Sequence, residues 1–190
     1  MRLKDLIYLW RSDLCRYCRK PNWSNFFKYY FLAIGFRFMF YHRLCNYFNS
    51  KKGLKFCVIF ANLILRHYKI KFGINIPWKT KIGRGFYIGH FGSIVINATT
   101  EIGNNCNISH EVTIGLTGKD NLKGGAKIGD NCYFGPGSKV IKPIKIGKNV
   151  AIGANCVVVV DIPDNAIVAG PKGEVISYKG SFDLINNTDY

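Results

Sequence analysis

Four histidines occur among 190 residues, and two of them, His90 and His110, lie in a stretch otherwise dominated by aliphatic residues, glycine and asparagine. Neutral imidazole suits proton transfer near pH 7, so a histidine can take the proton of a hydroxyl as that oxygen attacks a carbonyl. A single such histidine is more often a packing residue, whereas two on one face beside an insertion mark a site. His42 and His67 fall in an aromatic, basic N-terminal region, where packing or interfacial roles fit better. The seven cysteines (15, 18, 45, 57, 106, 132 and 156) are odd in number and show no pairing pattern, which points to free thiols. Cys15 and Cys18 form one CxxC without a second pair, so no metal is expected there. Gly118 and Lys119 precede Asp120 rather than Ser or Thr, which excludes a phosphate-binding P-loop.

Whether His90 and His110 share a face depends on the elements that carry them. From residue 76 onward the sequence repeats every six residues, as in IGRGFY, IGHFGS, IGNNCN, ISHEVT, IGDNCY, FGPGSK, IGKNVA and IGANCV. Apolar residues stand at 76, 82, 88, 96, 102, 108, 114, 128, 134, 140, 146, 152 and 158, and glycine often follows. Six residues suit one short strand plus its turn, so three hexads make one coil of a prism whose coils stack through parallel backbone hydrogen bonds. Four residues after each rung a smaller side chain also points inward: Thr80, Cys106, Val112, Cys132, Ser138, Val150 and Cys156. Three cysteines are thereby read as core fillers rather than nucleophiles. Two residues are inserted between rungs 88 and 96, and eight between 114 and 128. With these allowed for, rungs 88, 108, 134 and 152 fall on one side of successive coils. The column two residues after each rung then reads His90, His110, Pro136, Ala154, which sets the two imidazoles side by side.

The formal charge of +16 is uneven. Residues 1–81 hold 17 Lys/Arg against Asp5 and Asp13, a net of +15, which leaves the rest near neutral. Basic residues mixed with Trp10, Trp23 and the run from Phe26 to Leu44 suit an anionic membrane surface better than nucleic acid. Lys28 and Arg37 interrupt that run, and the stretch from Leu54 to Leu65 is shorter than the roughly 20 apolar residues of a spanning helix. Charges at Asp5, Arg11, Asp13 and Arg16 argue against a secretory signal. The expected location is therefore cytoplasmic, peripheral at the inner face of the cell membrane. The expected division is an α-helical segment over 1–71, a parallel β-helix over 72–170 and a tail over 171–190.

The run GFYIGHFGSIVINATTEIGNNCNISHEVTIGLTGK resembles hexapeptide-repeat acyltransferases, and within them the bacterial serine O-acetyltransferases. It looks closer still to capsular or exopolysaccharide O-acetyltransferases of the same kind, a group that the tail VISYKGS also resembles. The resemblance covers about residues 73–180. It implies a left-handed prism, against the usual right-handed crossover, together with acetyl-CoA as acyl donor, no metal, and a homotrimer with CoA between neighbouring prisms. It further implies that His90 is the general base, that Gly115, Thr117, Gly118 and Lys119 border the CoA channel, and that the turns at Gly135-Pro136 and Gly153-Ala154 meet the pantetheine arm. Lys172 is a candidate phosphate contact, since Glu174 stands where these families often carry a basic residue. His110 is either a second catalytic or acceptor-binding group or a neighbour that packs in the row. Asn75, Phe91 and Glu111 are candidate acceptor contacts, and Glu111 is also placed to polarise a histidine.

Three positions depart from the serine enzymes: Gly89 and Asn75 replace aspartates, and Gly125 replaces a second histidine. A zwitterionic amino acid would lack an evident partner for its ammonium group, so the expected acceptor is a sugar hydroxyl of a cell-surface polysaccharide or its precursor. Serine O-acetylation and a non-catalytic membrane-anchored scaffold are the alternatives.

Overall fold

The computed structural model describes residues 1–116 and 124–170. Four helices come first: α1 (Leu3–Cys15), α2 (Trp23–Leu32), α3 (Ile34–Asn49) and α4 (Lys55–Phe72). Asn22 starts α2 by accepting the Asn25 N–H on its side chain. Gly73 ends α4 in the left-handed conformation at φ 63°, which glycine adopts without a Cβ penalty. The chain then enters the prism.

Among the described residues, fourteen short strands build three parallel sheets. One sheet stacks Tyr87–Ile88, Asn107–Ile108, Tyr133–Phe134, Ala151–Ile152 and Ile167–Val168, with Ile88 opposite Ile108, Ile108 opposite Phe134 and Phe134 opposite Ile152. The register expected from the six-residue period, insertions included, is the register observed. Apolar rungs fill the axis, and the smaller inward positions are equally closed: Thr80, Cys106, Val112, Cys132, Ser138, Val150 and Cys156 are all buried. The seven cysteines are free thiols.

Two features escaped the hexad count. The coil continues past Val158, with Ile162 bridging to Ile146 and Ile167–Val168 adding a further strand. Spacing shortens to four residues at Ile162, just before Pro163, so the period alone does not reveal it. The third residue after a rung also turns left-handed at Gly85, Asn105, Glu111, Asn131, Gly137, Asn149, Asn155 and Asn165. Glycine and asparagine tolerate that conformation, and Glu111 is the exception among them.

The helical segment is latched onto this prism. Phe36, Phe38 and Met39, the middle of the aromatic run, are fully buried, so that run is core as much as surface. Asp13 and Arg43 form a buried pair at 3.1 Å. Arg43 also donates to the carbonyls of Ile82 and Gly83, while Asp13 accepts the Phe86 N–H at 3.0 Å. Burial pushes the Asp13 carboxyl pKa up, against the pull of the Arg43 guanidinium. Among the described residues no helix is long and apolar enough to cross a membrane.

Candidate functional site

The turn after Ile88 carries His90 and the turn after Ile108 carries His110. Because those strands pair directly, the two imidazole centroids lie 5.9 Å apart, edge to face at 81°. Neither ring makes a hydrogen bond to another described residue. His90 opens onto a cavity of about 400 Å³ bounded by Tyr17, the start of α3 at Ala33 to Gly35, and Phe91.

This cavity owes its far wall to close helix packing. The Tyr17 hydroxyl donates to the Ile88 carbonyl at 3.1 Å, beside Gly35. A Cβ on Gly35 would collide with Ile88 and lie 2.7 Å from that hydroxyl, so only glycine lets α3 approach this closely. The N-terminus of α3 has no side-chain cap. It borders the cavity beside the C-terminal end of α2 at Leu32, whose partial charge is of the opposite sign. Sequence reasoning missed this wall of the cavity; the signal was Gly35 within an otherwise bulky aromatic run.

Phe91 lines the same cavity and packs edge-on to Phe72 at 5.3 Å. The other two expected acceptor contacts fall elsewhere. Asn75 lines a separate recess against α4 and makes no hydrogen bond to His90, because its strand belongs to the sheet that contains Ile94–Ile96. The Glu111 side chain is exposed and bonds to neither imidazole. Its left-handed backbone, at φ 60°, instead offers its carbonyl to Lys139 Nζ at 2.5 Å.

Gly135-Pro136 and Gly153-Ala154 continue the same column one and two coils beyond His110. The N–H groups of Gly135 and Gly153 are committed to the carbonyls of Ile152 and Val168. The N–H of Ala154 has no acceptor among the described residues, and a Cβ on Gly135 would lie 2.8 Å from its nitrogen. Glycine at 135 thus leaves a backbone donor uncovered along the column. Gly115 ends the strand Thr113–Gly115 before the insertion. Thr117, Gly118, Lys119 and Lys172 lie outside the described residues. A side chain on Gly125 would meet the Thr99–Thr100 backbone at 2.5 Å, so this path of the chain has no room for a histidine there.

Among the described residues no three His, Cys, Asp or Glu side chains converge as metal ligands.

Residues 125–159 match the bacterial transferase hexapeptide (six repeats) model. The Helicobacter pylori serine acetyltransferase is 43% identical over 105 residues, spanning 55% of this chain and 61% of that protein. The Bacillus subtilis serine acetyltransferase is 33% identical over 160 residues, spanning 84% of this chain and 72% of that protein. The crystal structure of serine acetyltransferase isoform 3 from Entamoeba histolytica, in complex with cysteine, superimposes with a TM-score of 0.76 at 28% identity, covering 94% of this chain and 63% of that one. The chain thus spans about three-fifths of the length of the first curated relatives it matches. These relatives do not support the closer likeness to polysaccharide O-acetyltransferases expected from the sequence. With this repeat, this register and this likeness over most of both chains, the protein belongs to the serine acetyltransferase family of hexapeptide-repeat acyltransferases.

Proposed function

We propose that this chain transfers an acetyl group from acetyl-CoA to a hydroxyl, with His90 as general base. The observation that carries the reading is the pair of imidazoles 5.9 Å apart, of which His90 lines a cavity bordered by an uncapped helix N-terminus. His90 takes the hydroxyl proton as the oxygen attacks the thioester carbonyl, and positioned donors steady the negative charge on the carbonyl oxygen. Collapse breaks the C–S bond. The CoA thiolate then leaves readily, since a free thiol titrates near ~8.5, and His90 returns the proton. The Ala154 N–H and the room left by Gly135 support a pantetheine arm lying along the column, with Gly115, Thr117, Gly118, Lys119 and Lys172 as further donor contacts. We take the coil to be left-handed, as the family resemblance implies.

The relatives support serine as the acceptor. A second reading, a sugar hydroxyl, is favoured by Gly89, Asn75 and Gly125 standing where serine enzymes carry two aspartates and a histidine. Thiol release from acetyl-CoA, measured with serine and separately with nucleotide sugars or lipid-linked saccharides, separates the two. Turnover with serine alone would establish the first reading and turnover with a glycan alone the second. In either case His90→Ala is expected to lower kcat by about 10² to 10⁴, and undiminished turnover would remove the mechanism.

A further inference from the structure

Two recesses adjoin along α1. One, about 720 Å³, is lined by Lys4, Arg11, Arg16 and Arg84 together with Tyr8, and no Asp or Glu lines it. Two of those cations are held in place: Arg16 donates to the Gly85 carbonyl at 3.1 Å and to Asn107 Oδ1 at 2.5 Å, and Arg84 donates to the Tyr8 hydroxyl at 2.7 Å. Lys4 and Arg11, one helix face apart by seven residues, have no side-chain ion pair or hydrogen bond among the described residues. The other recess, about 460 Å³, is apolar, with Leu3, Trp10, Leu14, Trp23 and Phe26 in its wall. Ile7, Arg11 and Pro21 belong to both.

Each volume is within the roughly 300–1,000 Å³ of small-molecule sites. Fixed guanidinium groups suit a phosphate, which they bind through paired N–H donors, and the aromatic recess suits a hydrocarbon chain. We propose that the two recesses form one site for a single-chain lipid monophosphate, its phosphate among Lys4, Arg11, Arg16 and Arg84 and its chain against Trp10, Trp23 and Phe26. Phe27 and Phe31, 56% and 66% exposed, extend the apolar side outward, as expected of a site loaded from a lipid surface. Neither recess includes His90, so the inference does not depend on acetyl transfer.

Decyl phosphate below its micellar concentration, inorganic phosphate and decyl maltoside, each titrated into the full chain, test it. Calorimetry gives the affinity, and tryptophan emission reports on Trp10 and Trp23. Decyl phosphate is expected to bind at least tenfold more tightly than either comparison ligand. The double variant Lys4→Glu/Arg11→Glu is expected to lose at least tenfold with its helical circular dichroism unchanged, and Arg11→Ala alone at least threefold. Equal binding of inorganic phosphate would show that the apolar recess takes no part, and equal binding of decyl maltoside that the cations take none. Either result, or undiminished binding in Arg11→Ala, overturns the proposal.

Discussion

His42 shows how differently the same side chain behaves away from the site. It is fully buried in α3, with Asn46 Nδ2 3.4 Å from its Nδ1 and no partner for its Nε2 among the described residues. Burial, aided by the neighbouring Arg43 charge, pushes its pKa down to about 3. The folded chain therefore keeps His42 neutral while an unfolded chain protonates it near the ordinary value of about 6.5. Its contribution to stability is complete above that value and falls as pH drops toward 3, because there the unfolded state binds the extra proton. Between pH 6 and 4, urea melts of the parent should show a steeper loss of stability than those of His42→Gln, by up to about 1.4 kcal/mol per pH unit. Equal slopes would mean the folded chain accommodates the charge. A packing role for this residue was legible from its aromatic, basic surroundings, whereas the depth of its burial was not, since that depends on which elements cover it.

At the scale of elements, the rungs were legible because an apolar residue every six positions has one geometric reading. The column His90, His110, Pro136, Ala154 follows from counting alone. Contacts made by the helices were not legible in the same way: Tyr17, Gly35 and Arg43 reach the prism across 71, 53 and 39 residues of sequence, respectively, and no period encodes such pairings. Asn75, a candidate acceptor contact, lies on a different sheet from the strands that precede His90 and His110, in a recess against α4. The Asp13–Arg43 latch carries the clearest consequence. Arg43 satisfies a buried carboxylate and two backbone carbonyls at once, so removing it strands a buried charge. Arg43→Leu should cost about 3–5 kcal/mol in chemical denaturation. The paired change Asp13→Asn/Arg43→Leu should cost less than the two single losses added together, because residues in contact couple. Strict additivity would mean that the pair does not act as a unit.

For the whole molecule, charge and apolar surface are divided between its two halves. The excess of basic residues lies on the helices, and the prism is close to neutral. On the prism, the two sheets that meet at the His90 corner expose large apolar groups on their outer faces: Val95 and Val157 on one, Tyr133 and Ile167 on the other, with Phe91 between them. Scattered apolar residues are ordinary on a monomer, but a cluster beside a functional corner is the pattern of an interface. A closed ring of three copies would cover it by heterologous contacts, each copy laying one sheet against the next copy's other sheet. Light scattering should then give a mass near three times the 21.5 kDa of one chain. If the donor lies between neighbouring prisms, specific activity should fall on dilution in step with the trimer fraction, and Tyr133→Glu should shift both together. A stable 21.5 kDa species with full activity would place the whole donor site within one prism, and the exposed apolar corner would then need another partner.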